Sequence, residues 1–255
     1  MSEAGANASL RGSLCRNCDA ASLKCEAAWV AFGSIAFALF FTYPILSHLT
    51  HGGVPKFPLQ DDWDYFMQLH WVTAQTILGF HQFPLWDPFK CGGMPLLANP
   101  QSAVLTPFLL LELLFGPATG LHLGIIGHAA IAFGGAYFLA RGLGISPVGA
   151  VACATAFAGS SWYYLHAEIG HINFEACAYL PWAIALAILA VNRRWLTAAA
   201  LAGIALALMV MEGGIHAVLQ AIMVLCLLMS LIAIQRREGL PMVVLAVAGV
   251  FMFGL

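Results

Sequence analysis

The sequence predicts an all-α protein, a polytopic transmembrane helix bundle, on three observations. Hydrophobic residues make up 61% of the chain and charged residues 9%, against roughly 25% charged in soluble domains. Apolar runs of membrane-spanning character recur through the second half. Carboxylates, tryptophans, prolines and glycines gather between the first apolar run and the others, in segment 50–117, which reads as a long first loop outside the bilayer. The formal net charge of -2 is small, and no basic block is interleaved with aromatics, so nucleic-acid binding is set aside.

The chain divides into a polar tail, 1–26, and a transmembrane domain, 27–255. The tail carries Arg11, Arg16 and Lys24 and is too long and irregular for the charged start of a signal peptide. The apolar run after it, 27–48, exceeds the roughly 7–15 residues of a signal core, so the tail is expected to stay uncleaved and cytoplasmic. Cys15, Cys18 and Cys25 lack a fourth ligand and read as reduced cytosolic thiols rather than a metal knuckle.

Further apolar runs cover 119–140, 147–165, 176–191, 196–211, 215–234 and 240–255. The run 104–115 is shorter, contains Glu112 and lies between Pro107 and Pro117. If it does not cross, Arg141, Arg193, Arg194, Arg236 and Arg237 share the side of the tail, and only Lys56 and Lys90 lie opposite. It is therefore expected to be re-entrant or interfacial. The loop at Asp61, the loop 166–175 and the turn at Glu212 then meet on one extracytoplasmic face, where nearly all acids and imidazoles outside the tail are expected to converge.

Within the first loop a helix is expected over 62–80, capped by Asp61 or Asp62. At 100° per residue, Trp63, Met67, Trp71, Ala74 and Leu78 share one arc, and Asp64, Gln68 and Gln75 share the edge beside it. This predicts an amphipathic helix at the membrane surface, its tryptophans at headgroup level and its acid-amide edge on a polar cleft. The plainer reading is that Asp61, Asp62 and Asp64 only cap and solvate a surface helix. In 166–175, Glu168, His171 and Glu175 fall on one face if the segment is helical, near His166, a geometry suited to a substrate clamp or metal ligands. Gly170 weighs against that helix, and solvated loop residues are the bland alternative. His128, inside a span, reads as a packed histidine.

The stretch FPLWDPFKCGGMPLLANPQSAVLTP, preceded by DDWDYF and followed by GAYFLARGLGIS and YLPWAIAL, resembles the amino-terminal half of the YfhO-like bacterial membrane proteins, relatives of the GT-C fold glycosyltransferases. The resemblance covers 61–220. It implies a GT-C-like bundle in the bacterial plasma membrane, amino terminus inside, of which this chain is the amino-terminal portion. It also implies transfer of a sugar from a polyprenyl-phosphate carrier to a cell-envelope glycan or lipid acceptor outside, with an acid of the first external loop as general base.

A sugar hydroxyl needs a carboxylate to take its proton as the glycosidic bond forms. Asp62, Asp61 and Asp64 are the candidates. A second carboxylate there would either rise in pKa or help hold a divalent cation, Mg²⁺ or Mn²⁺, against the leaving phosphate; the residues leave both open. Gln68, Trp86, Asp87, Asn99, Gln101, His166, Glu168, His171 and Glu175 are the candidate substrate contacts, although glycine and proline around them also simply shape turns. A transporter or lipid flippase without catalysis is the alternative. Such proteins place ionisable groups near mid-membrane, where His128 is the one candidate, so the sequence favours the enzyme.

Overall fold

The structure is a computed structural model that describes residues 20–44 and 62–254. Asp61 and Lys56 lie outside the described residues, as does the tail up to residue 19. The fold is helical: α1 (Ala20–Phe41), α2 (Trp63–Leu78), α3 (Leu109–Phe115), α4 (Pro117–Gly142), α5 (Pro147–Ala158), α6 (Ser161–Glu168), a 3-10 helix (Ile172–Tyr179), α7 (Leu180–Arg193), α8 (Leu196–Met211), α9 (Ile215–Arg236) and α10 (Leu240–Phe253). A short hairpin, β1 (Trp86–Asp87) and β2 (Met94–Pro95), pairs antiparallel with Trp86 opposite Pro95.

Three described segments are long and apolar enough to span a bilayer: Pro117–Gly142, Ile172–Arg193 and Ile215–Arg236. Shorter apolar helices, Cys25–Phe41, Leu196–Met211 and Leu240–Phe253, pack beside them. The protein is thus a membrane-associated helical bundle. Large apolar side chains such as Phe32, Phe40, Met223, Leu227, Ile234 and Phe253 point outward, as expected where hydrocarbon is the solvent. Inside, the helices meet through alanine: Ala183, Ala187 and Ala190 of α7, Ala198, Ala199, Ala202 and Ala205 of α8, and Ala248 of α10 line one continuous core. Small side chains let backbones approach closely where packing, rather than a hydrophobic drive, holds helices together.

The helix expected over 62–80 forms as α2, but it buries a different face. Trp63, Phe66, Leu69, His70, Thr73 and Thr76 are buried, while Trp71 and Leu78 are about half exposed. Trp71 and Leu78 therefore share the open side with Asp64, Gln68 and Gln75, and the arc of tryptophans does not act as a unit. The cause is tertiary: α2 packs on α3 and α4, and Phe66, Leu69 and Val72 join Leu121 and Ile125 in one core cluster.

The run 104–115 forms only the seven residues of α3, which rise about 10 Å against about 30 Å of hydrocarbon, too short to span a bilayer by itself. Gly116, at φ 86°, turns the chain straight into α4. Gly120 faces the backbone of Glu112, where a Cβ would collide with it, so α3 lies flush along the start of α4. The run expected over 147–165 breaks in two at Gly159 and Ser160, the latter extended at φ -65° and ψ 140°.

Each of α4, α7 and α9 carries an arginine in its last turn. Arg141 meets Glu26 of α1 at 2.7 Å, Arg194 meets Glu238 at 3.5 Å and Arg236 donates to Asn192 at 2.7 Å. Glu175 lies against His128 and the Trp182 indole donates to the Ile131 carbonyl, so α7 runs alongside α4 in the same direction, and Arg236 reaches Asn192; these ends therefore share one side of the bundle, away from the start of α4 on which α2 packs.

Candidate functional site

At the end of the bundle away from the arginines, the N-terminus of α2 docks on the turn after α6. The Asp62 amide donates to the Ile169 carbonyl at 3.0 Å, and the Trp63 indole donates to the Glu168 carbonyl at 2.8 Å. Gly170 makes this possible. Its φ of +85° is open to glycine, and Trp63 occupies the space a Cβ would need.

Asp62 sits at the N-cap position of α2, yet its side chain makes no capping bond. Its Oδ2 instead lies 2.7 Å from His171 Nε2. A carboxylate only accepts, so Nε2 carries the proton. His171 Nδ1 lies 3.3 Å from His166 Nδ1, which makes His166 the donor of that contact when both rings are neutral. Burial, and then the neighbouring His171, hold His166 below its ordinary pKa, which favours the neutral ring. His166 stacks on Phe174 at 4.0 Å, and Phe174 stacks in turn on His216 at 6.1 Å. The result is a partly open surface: the Asp62 side chain is 56% exposed and that of His171 31%.

The anticipated face of Glu168, His171 and Glu175 does not form. The chain reverses at Gly170, so Glu168 ends α6 exposed, His171 turns to Asp62, and Glu175 is carried inward on the 3-10 helix.

Beside this surface, Tyr65 Oη donates to Gln101 Oε1 at 3.2 Å and accepts from Asn99 Nδ2 at 3.2 Å. Asn99 and Gln101 are thus brought together with α2. Lys90 lies over the Tyr65 ring at 4.0 Å and is the one lysine or arginine among the described residues from 62 to 140. Trp86 is half exposed on the hairpin, whereas Asp87 is fully buried and its Oδ1 accepts from the Phe89 amide at 2.8 Å. Asp87 therefore shapes the hairpin turn rather than facing outward. Gln68 and Asp64 lie on the open side of α2.

The expectation that acids and imidazoles converge on a solvated face holds only for this first group. A second group is buried. His70 Nδ1 meets Glu112 Oε1 at 2.7 Å. His128 Nδ1 bonds the Gly124 carbonyl at 2.8 Å and lies 3.1 Å from Glu175 Oε2, while its Nε2 stands 3.3 Å from Glu212 Oε1 without the alignment of a hydrogen bond. Thr106 donates its hydroxyl to Glu212. Burial works against a charged His70, but the Glu112 carboxylate outweighs it, and His70 titrates above its ordinary value. His128 is thus the packed histidine the sequence suggested, bonded to its own helix, with two carboxylates beside it.

Among the described residues, no three His, Cys, Asp or Glu side chains are placed to share a metal ion; the Mg²⁺ or Mn²⁺ arrangement invoked Asp61, which lies outside them. The comparisons with known proteins found no matching family model, curated protein or solved structure.

Proposed function

We propose that this chain belongs to a YfhO-like, GT-C-type glycosyltransferase of a bacterial plasma membrane. It moves a sugar from a polyprenyl-phosphate carrier to a cell-envelope acceptor on the extracytoplasmic side. The observation that carries the reading is Asp62: a carboxylate free of its capping role, held by His171 on a partly open surface. The motifs around it, from DDWDYF to the hairpin and ANPQ, support the family. The arginine-bearing ends on the opposite side support a cytoplasmic amino terminus.

In this reading the acceptor hydroxyl oxygen attacks the anomeric carbon as Asp62 takes its proton. The carbon–oxygen bond to phosphate breaks, and the phosphate leaves with the electron pair. His171 aims Asp62 through the 2.7 Å hydrogen bond between Nε2 and Oδ2. Lys90 supplies positive charge for the carrier phosphate, and Asn99 and Gln101, tied through Tyr65, orient sugar hydroxyls.

The test is transfer from a radiolabelled polyprenyl-phosphate sugar in proteoliposomes. Asp62→Asn keeps the shape and removes the base, so the rate is expected to fall about 10²- to 10⁴-fold. Near-normal transfer by Asp62→Asn would overturn the assignment. The transporter or flippase reading retains one observation in its favour, the buried His–Glu group beside the spans. Carrier translocation by Asp62→Asn vesicles without transfer would favour it.

A further inference from the structure

Between the first loop and the bundle lies a small cavity of about 20 Å³, room for one water molecule. His70 and Glu112 reach it from α2 and α3, His128 from α4, Glu175 from the 3-10 helix and Glu212 from the end of α8. All five are less than a tenth exposed. Several of their polar atoms have no partner: His70 Nε2, Glu112 Oε2 and Glu175 Oε1, joined by Asn173 Oδ1 on the same wall. Buried polar atoms left unpaired cost free energy, so together they call for an occupant.

Charge identifies it. Three carboxylates face two imidazoles, and no lysine or arginine among the described residues lines the cavity. Even with both rings protonated, one negative charge is left without a counter-charge in a buried site, where an unpaired charge is costly. The other titratable neighbours do not remove it. Tyr179 packs its ring edge on His128, Tyr163 is a buried phenol, and His122 packs on Trp63. A metal ion is disfavoured, since these side chains do not form a ligand set.

We propose that this cavity is a proton-binding site, taking one water and one proton beyond those of the two imidazolium rings, shared among Glu112, Glu175 and Glu212. The proposal uses neither Asp62 nor His171 and stands apart from the sugar-transfer reading. Its consequence is mechanical. Glu212 holds Thr106, and Glu112 holds His70, so the same carboxylates fasten the first loop and α2 to the bundle. Loss of the shared proton sets three carboxylates against one another and loosens segment 99–112.

The test uses the wild-type chain in lipid nanodiscs. Infrared difference spectra between H₂O and D₂O should show the carbonyl band of a protonated, buried carboxyl at neutral pH. The band should vanish at alkaline pH together with a drop of about tenfold in amide protection factors across 99–112. Glu112→Gln, Glu175→Gln or Glu212→Gln should remove the band, and protection in that variant should no longer depend on pH. A wild-type spectrum with no such band overturns the proposal, as does a band that persists in all three variants. Protection that follows Na⁺ concentration at fixed pH, rather than pH, overturns it in favour of a cation.

Discussion

His171 and Asp62 stand 2.7 Å apart at the surface, and His70 and Glu112 stand 2.7 Å apart in the interior. The side chains of the first pair are 31% and 56% exposed, those of the second 6% and 2%. Equal geometry therefore carries unequal energy. Water solvates either member of the outer pair when it is left alone, so that pair contributes little to stability, on the order of 0–1 kcal/mol. The inner pair has no such recourse, and removing one partner strands the other in a medium that cannot solvate it. The outer pair is free to do chemistry, and the inner one is committed to holding elements together.

The largest effect expected from this contrast is Asp62→Asn, which should abolish most transfer while shifting unfolding free energy by no more than about 0.5 kcal/mol, as surface changes do. A matching loss of stability would erase the distinction. Glu112→Ala should do the reverse, destabilising the detergent-solubilised protein by about 3–5 kcal/mol in denaturant unfolding, because His70 loses its counter-charge. An effect below about 1 kcal/mol would show that water already reaches the site.

The pH dependence has a definite sign. The folded pKa of His70 lies above its ordinary 6.5, so its stabilising contribution is complete below that value and is lost as pH rises through the folded value. Melting temperature should fall on that side, and Glu112→Gln should flatten the decline. A melting profile that rises with pH over the same range would reverse the assignment. The smallest effect is expected at Arg194, 72% exposed at its contact with Glu238. Arg194→Ala should change stability by less than about 0.5 kcal/mol.

Much of the frame was legible in the sequence, because apolar runs and their breakers are local signals. The run 196–211 coincides with α8, and 62–80 contains α2. The break at Gly159 was not anticipated, since the residues on both sides are apolar. The buried face of α2 was misread because Trp71 and Leu78 look like membrane anchors, whereas Phe66 and Leu69 meet a protein surface that no local pattern reveals. The inner cluster was harder still, being assembled from positions between 70 and 212 on five elements. Its available signal was the presence of Glu112 and Glu212 inside or at the edge of apolar runs, where a carboxylate demands a partner.

The alanine seam of α7, α8 and α10 constrains how this sequence can drift. At Ala187, Ala199 or Ala202, almost every replacement adds volume where backbones already touch. Neutral change is thereby channelled to the lipid-facing shell around Leu227 and Ile234, where one branched aliphatic serves as well as another. Homologues of this chain should hold the seam nearly fixed while their outer shells diverge freely, so that a profile of variation along α7 or α8 would trace which side of each helix faces protein.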